Sequence, residues 1–247
     1  MEYKKLKKFI LKITPKKVLN LYQDPIKNQI NNSDIYSTLS FSQEGEDLII
    51  KRIFEGQKTG FYVDVGAHHP KRFSNTYLFY KMGWQGINID AMPESMNIFK
   101  IKRPRDINLE IGVSNEQQEL VYYMFNEPAL NTFSEDEAKN KDGLRNYKII
   151  DKIKIKTSPL KSILDEYLPK DCKIDFMSID VEGFDLQVIE SNDWEKYRPT
   201  IILIEDLKKY AIVELTEHSE IYKFLIVKDY QFIAKTFNTL FFKDIRS

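Results

Sequence analysis

Short apolar runs alternate with stretches of helical period along most of the chain. Phe61–Val65, Gly86–Asp90, Ile107–Val113, Glu119–Phe125, Ile174–Ile179 and Ile201–Ile204 are rich in β-branched and aromatic residues. Each has strand length and ends near Gly, Pro, Asn or an acid, so each is predicted as a strand. Apolar residues at three- and four-residue spacing predict helices between them. One begins near Glu46 and Asp47 and runs through Leu48, Ile49, Ile53 and Phe54, with Ser42 and Gly45 in the preceding turn. Others run through Tyr77, Leu78 and Tyr80 to Gly83, from Pro93 through Met96 and Phe99, over Leu160–Leu168, through Leu186, Val188 and Ile189, and over Glu220–Val227. The charged run from Glu135 to Asn146 is predicted as a surface helix or lid. Lys152–Lys156 (K-I-K-I-K) alternates strictly and reads as an edge strand whose lysines discourage further pairing. Gln231–Ala234 and Thr239–Phe242 are predicted to close the chain as an antiparallel pair. Strands alternating with helices predict an α/β fold, with a mostly parallel sheet covered by helices on both faces.

Residues 1–34 have a different character. Over residues 1–17, lysines at 4, 5, 7, 8, 12, 16 and 17 stand against the single acid Glu2, and Leu6, Phe9, Ile10 and Ile13 fall at helical spacing. Such a basic amphipathic helix suits an anionic membrane surface, and equally suits packing on the domain or on a second subunit of a homo-oligomer. The 247 residues are therefore divided into this extension and one domain over 35–247. Formal net charge is zero, so no global basic field points to nucleic acid. Cys172 is the single cysteine, which excludes intrachain disulfides and cysteine metal clusters. No apolar stretch reaches bilayer-spanning length and no secretory leader is recognised, so a cytoplasmic protein is expected.

The candidate chemistry centres on residues 60–70, G-F-Y-V-D-V-G-A-H-H-P. Asp64 ends a buried strand, and Gly66 would let the backbone approach a ligand. Asp90 ends the next strand about 25 residues on, where an acid can accept both hydroxyls of a ribose. The glycine-rich cradle for a pyrophosphate is missing, since Ala67, His68, His69 and Pro70 follow Gly66. An acid before the glycine suits a cationic ligand. S-adenosylmethionine, with an ammonium and a sulfonium, fits this pattern. Ser74 and Asn75 are plausible caps of the following helix, whose start would face the ligand's carboxylate. Gln43 and Glu46 either face the ligand or cap their helix.

The combined pattern has the outline of a class I, Rossmann-like methyltransferase. The chain resembles the FkbM family of S-adenosylmethionine-dependent methyltransferases from about Tyr36 to Lys243. The resemblance is carried by F-S-Q-E-G-E-D (41–47), F-Y-V-D-V-G-A-H-H-P (61–70), R-F-S-N-T (72–76), G-W-Q-G-I-N-I-D-A-M-P (83–93), I-D-F-M-S-I-D-V-E-G-F-D (174–185) and N-T-L-F-F (238–242). It implies O-methylation of a sugar, nucleotide-activated or glycan-borne, in cell-surface polysaccharide synthesis, with a capsular heptose as one candidate. A lipid or polyketide hydroxyl, or a scaffold without turnover, are the alternatives. By the resemblance, Asp64, Gly66 and Ala67 line the methionine end, Ser74 and Asn75 lie near its carboxylate, and Asp90 binds the ribose. Glu110, Ile111 and Gly112 flank adenine, and Asp180 lies where methyl and acceptor meet.

A sugar hydroxyl is a poor nucleophile until its proton is accepted. His68 or His69 could take it, because histidine titrates near neutral pH. Alternatively Asp180, Glu205 and Asp206, at the ends of two strands expected to be neighbours, could hold Mg²⁺ to acidify the hydroxyl. Each of these groups has a plainer reading, as a turn former or helix cap. Glu182 and Asp185 are expected as lining or capping groups, with Glu182 a substrate contact. Tyr123 and Phe133 are candidates for the acceptor side, Trp84 and Trp194 for the core, and His218 for a surface position beginning the last helix.

Overall fold

A computed structural model describes residues 37–208 and 210–246. The basic extension over 1–34 lies outside the described residues. Residues 40–246 belong to one compact unit. No helix among the described residues is long and apolar enough to cross a membrane.

Seven strands form the main sheet: β1 (Phe61–Val65), β2 (Gln85–Asp90), β3 (Ile107–Glu110), β7 (Phe176–Ile179), β8 (Ile201–Glu205), β9 (Tyr230–Lys235) and β10 (Thr239–Asp244). Their order is β3-β2-β1-β7-β8-β10-β9. Pairing is parallel from β3 to β8, and β10 runs antiparallel to both β8 and β9. The predicted closing pair is therefore present, and β10 is wedged between β8 and β9.

Alternation along the strands explains how the sheet is covered. Val63, Val65, Ile87, Ile89, Met177, Ile179, Ile202 and Ile204 face one side. There they meet Leu160, Ile163 and Leu164 of α5 (Leu160–Tyr167), Val188 and Ile189 of α6 (Asp185–Glu190), and Ile221 and Leu225 of α8 (Glu220–Val227). Tyr62, Phe176, Ile201, Leu203 and Phe241 face the other side, against Ile50 of α1 (Glu46–Ile53) and Phe79 and Tyr80 of α2 (Tyr77–Met82). Full burial of each such side chain contributes about 1.5–3 kcal/mol, so the two-sided apolar strands are stable only between two helical layers. Met96 and Phe99 of α3 (Ser95–Lys102) pack with Ala67. Trp84 and Trp194 are both buried.

The run read as one strand over Ile107–Val113 is two. β3 stops at Glu110, and β4 (Gly112–Val113) joins β5 (Gln118–Phe125) and β6 (Ile149–Ser158) in a second sheet of order β4-β6-β5. Gly112 is needed at this crossing, because a Cβ there would stand 2.8 Å from the Phe133 ring and 2.9 Å from Thr157. β6 lies between β4 and β5, but β4 reaches only Thr157 and Ser158. Lys152–Lys156 pairs with β5 alone, so the lysine stretch is an open edge as predicted. The connection between β5 and β6 carries a short 3₁₀ turn (Pro128–Leu130) and α4 (Glu135–Lys141). His218 ends the short helix α7 (Leu215–His218) rather than beginning the next one, which Ser219 caps by accepting from Tyr222 N at 3.1 Å.

Candidate active site

Strands follow β1 outward to β2 and β3 on one side, and β7 and β8 lie on the other, so strand order reverses between β1 and β7. Loops leaving the carboxyl ends of such a pair diverge and leave a crevice. A cleft of about 720 Å³, part of it open to solvent, lies there. Val65, Gly66 and His68 line it from β1, Ile89 and Asp90 from β2, and Asp180, Val181 and Glu182 from β7. Gln43, Phe73, Ile111, Val113, Tyr122 and Phe133 complete much of the wall. His68, Phe73 and Glu182 all have left-handed backbones, at φ 48, 56 and 56. Bulky residues in that region cost about 1–3 kcal/mol each, and such strain concentrates at functional sites.

Gly66 has φ 84, and a Cβ on it would lie 1.7 Å from the Asp180 carbonyl oxygen. Its glycine thus lets the β1 and β7 ends close on each other, a different cause from the ligand approach expected. The Asp90 carboxylate is oriented by two backbone donors, His68 N to Oδ2 and Met92 N to Oδ1, at 2.7 and 2.8 Å. Burial pushes the Asp90 carboxyl up, against the pull of those donors.

His68 is held uncharged. Burial first, then the Arg72 guanidinium, lowers it to about 4. Its Nε2 is buried with no hydrogen-bond partner. His69 is lowered to about 3, by burial and then by neighbouring cationic groups. Its Nδ1 accepts from Lys71 N and Arg72 N at 3.0 and 2.9 Å, which shapes the turn.

On the β7 side three carboxylates converge. One oxygen from each of Asp180, Glu182 and Glu205 lies within 4.8 Å of the others. Asp180 opens to the cleft while Glu205 is buried. Burial and then the neighbouring acids raise both well above the carboxylate range. Glu205 Oε2 is left buried without a partner. Lys141 Nζ, at the end of α4, lies 2.5 Å from Glu182 Oε2. Asp185, raised to about 7 by burial, accepts from Val181 N and Gly183 N and so fixes the loop bearing Glu182.

Asp206 is not in this trio. Its Oδ2 accepts from Ser219 Oγ at 2.6 Å and its Oδ1 from Lys208 N at 3.1 Å. Alternation along β8 sends adjacent side chains opposite ways, so Glu205 and Asp206 cannot share one partner set. Glu182 takes the third place. Tyr122, not Tyr123, lines the cleft beside Phe133 for the same reason, and Tyr123 packs with Phe125 and Ala138. Glu46 is buried, accepting from Glu44 N and Thr239 Oγ1, and does not line the cleft. Glu110, Ala67 and Gly112 also lie outside the lining, whereas Ile111 and Gln43 are in it.

Asp64 shares the Tyr62 face of β1 and lies behind the strand end. It accepts from Thr76 Oγ1 at 2.6 Å, and burial raises it to about 6. Thr76 in turn accepts from Arg103 Nη2 at 2.9 Å. The fully buried Arg103 also donates to Asp106 Oδ2 at 2.8 Å and Tyr62 OH at 2.7 Å. Ser74 Oγ accepts from Tyr77 N at 3.1 Å, and Asn75 Nδ2 donates to Ser178 Oγ at 3.0 Å. Ser74 and Asn75 thus brace the start of α2 beneath the cleft. Sequence reasoning missed Arg103, Lys141 and Phe73. The first two sit among lysine-rich helix ends that read as solvated, and only a left-handed backbone, φ 56, distinguishes Phe73.

Residues 64–233 match the family model of the Methyltransferase FkbM domain. No curated protein matches the chain. Because the matched span takes in both sides of the switch point, from the end of β1 through Asp180 to β9, the chain belongs to the FkbM methyltransferase family.

Proposed function

We propose that the protein is an S-adenosylmethionine-dependent O-methyltransferase of class I fold, acting in the cytoplasm on the hydroxyl of a nucleotide-activated or glycan-borne sugar for cell-surface polysaccharide synthesis. Family membership supports methyl transfer. The parallel sheet with one antiparallel strand near its end supports the class I fold. The observation that carries the reading is Asp90. Each carboxylate oxygen receives one backbone N–H at the cleft floor, which leaves acceptor capacity for a vicinal diol.

The donor set fits the cofactor. Ile89, Ile111, Val113 and Tyr122 offer an apolar wall to adenine, and Asp180 and Glu182 offer negative charge to a sulfonium. Bound S-adenosylmethionine supplies a methyl group on a good leaving group. The chain's own residues then align the acceptor oxygen and take its proton. Asp180, which opens to the cleft at the end of β7 and whose burial raises its affinity for a proton, suits that task better than His68, whose burial lowers it. His68 Nε2, neutral and unpartnered, is placed to hydrogen-bond a ligand hydroxyl. Mg²⁺ fits Asp180, Glu182 and Glu205, as the partnerless Glu205 oxygen and the ammonium already seated on Glu182 indicate, and would acidify a bound hydroxyl.

Incubation with S-adenosylmethionine and a panel of nucleotide sugars, lipid hydroxyls and amines, following S-adenosylhomocysteine release with Mg²⁺ or EDTA, tests the reading. Release only with sugar acceptors is expected. Release only with lipid or amine acceptors would contradict it.

A further inference from the structure

Glu182, one acid of the trio, already holds a cation, and that cation belongs to the chain. Lys141 Nζ lies 2.5 Å from Glu182 Oε2 and 3.7 Å from Glu137 Oε2, with its side chain only 14 % exposed. One oxygen from each of Asp180, Glu182 and Glu205 lies within a 4.8 Å span. Oxygens bound to one hard cation at about 2.1–2.6 Å occupy a sphere of that width. Glu205 Oε2 is buried and lacks a partner, so the trio has a donor that the ammonium does not use.

We propose that Lys141 is a tethered competitor for this cation site, and that its ammonium and a divalent cation take Glu182 in alternation. The inference rests on the reading of Asp180, Glu182 and Glu205 as a cation site. An ammonium and a divalent cation a few ångströms apart, with little water between, repel strongly. Glu137, one turn back on α4, gives the displaced ammonium a second partner, so its departure leaves no unpaired buried charge.

The alternation reaches beyond the trio through α4. Thr132 Oγ1 donates to Glu182 O at 2.8 Å, and a Cβ on Gly183 would stand 2.5 Å from Glu137 Cγ. The β5–β6 connection is thus docked on the β7–α6 loop, with Lys141 as its only charged anchor to Glu182 among the described residues. The same connection supplies Pro128, Ala129, Asn131 and Phe133 to the cleft wall. Cation binding therefore loosens the end of α4 and the wall it supports.

The test titrates Mn²⁺ alone into the full chain by calorimetry and by the electron-spin signal of the free ion. Lys141→Met is expected to bind at least about tenfold tighter than wild type, the scale of one shielded ion pair removed. Lys141→Arg, which keeps the charge, should bind no tighter than wild type, and adding Glu205→Gln to Lys141→Met should abolish the gain. Hydrogen exchange of residues 135–141 should quicken when Mn²⁺ is added to wild type. Equal or weaker Mn²⁺ affinity in Lys141→Met overturns the proposal, as does no binding to any variant. S-adenosylhomocysteine binding, measured on the same samples, reports separately on the methyl-transfer reading and on whether each variant is folded.

Discussion

Gly66 shows what a single position can decide. A methyl group there would meet the Asp180 carbonyl oxygen at 1.7 Å, and φ 84 is strained for any L side chain. Gly66→Ala is expected to lower stability by more than about 3 kcal/mol in urea unfolding, since strain and backbone clash add. Gly83→Ala has φ 104 but open space around it, so only about 1–2 kcal/mol is expected there. His68 gives a second prediction. Its folded value of about 4 lies below the ordinary 6.5, so between these the unfolded chain binds the extra proton. That stability is intact above pH 6.5 and is lost as pH falls toward 4. Asp64, raised to about 6, has the opposite slope: its contribution is lost as pH rises from 3.8 toward 6. Urea unfolding at pH 7 and 4.5 should show a smaller acid loss in His68→Gln than in wild type. An equal loss would remove His68 from the buried neutral role. At this scale the sequence marked strand-end acids well, because carboxylates after apolar runs stand out. Which acid faces the cleft was not legible. Glu182 replaces Asp206, and Asp64 turns behind β1, through one-residue changes of direction that composition does not reveal.

Between elements, the buried Arg103 network ties the end of α3 to β1, α2 and the turn before β3. Arg103 and Asp106 side chains are both fully buried. Removing one partner of such a pair costs about 3–5 kcal/mol, because the other charge is left without compensation. Arg103→Met should lose that much in urea unfolding, and Arg103→Met with Asp106→Leu should recover part of it; no recovery would mean that the loss comes from packing. On the β6 edge, replacing Lys152, Lys154 and Lys156 by Val should promote association detectable by light scattering. Strand existence was legible because each run is short, apolar and punctuated. The break at Ile111 was not, since a strand leaving one sheet and entering another within a single residue keeps an unbroken apolar pattern.

For the molecule, the reversal of strand order between β1 and β7 sets where a ligand can bind, and Gly66, Asp90 and Asp180 meet there from stretches far apart in the chain. The alternation of strand and helix made that crevice predictable before any coordinate was known. The docked β5–β6 connection was not predictable, because its anchors are ion pairs between segments that each read as solvated. The central claim is that this crevice binds the methyl donor with Asp90 on its ribose. Calorimetric titration of S-adenosylmethionine and S-adenosylhomocysteine into wild type and Asp90→Ala tests it most directly. The account predicts micromolar binding to wild type, weakened by about 1–3 kcal/mol in the variant, the scale of lost hydrogen bonds to a charged group. Binding of neither ligand to folded wild type, or equal affinity in Asp90→Ala, would contradict it.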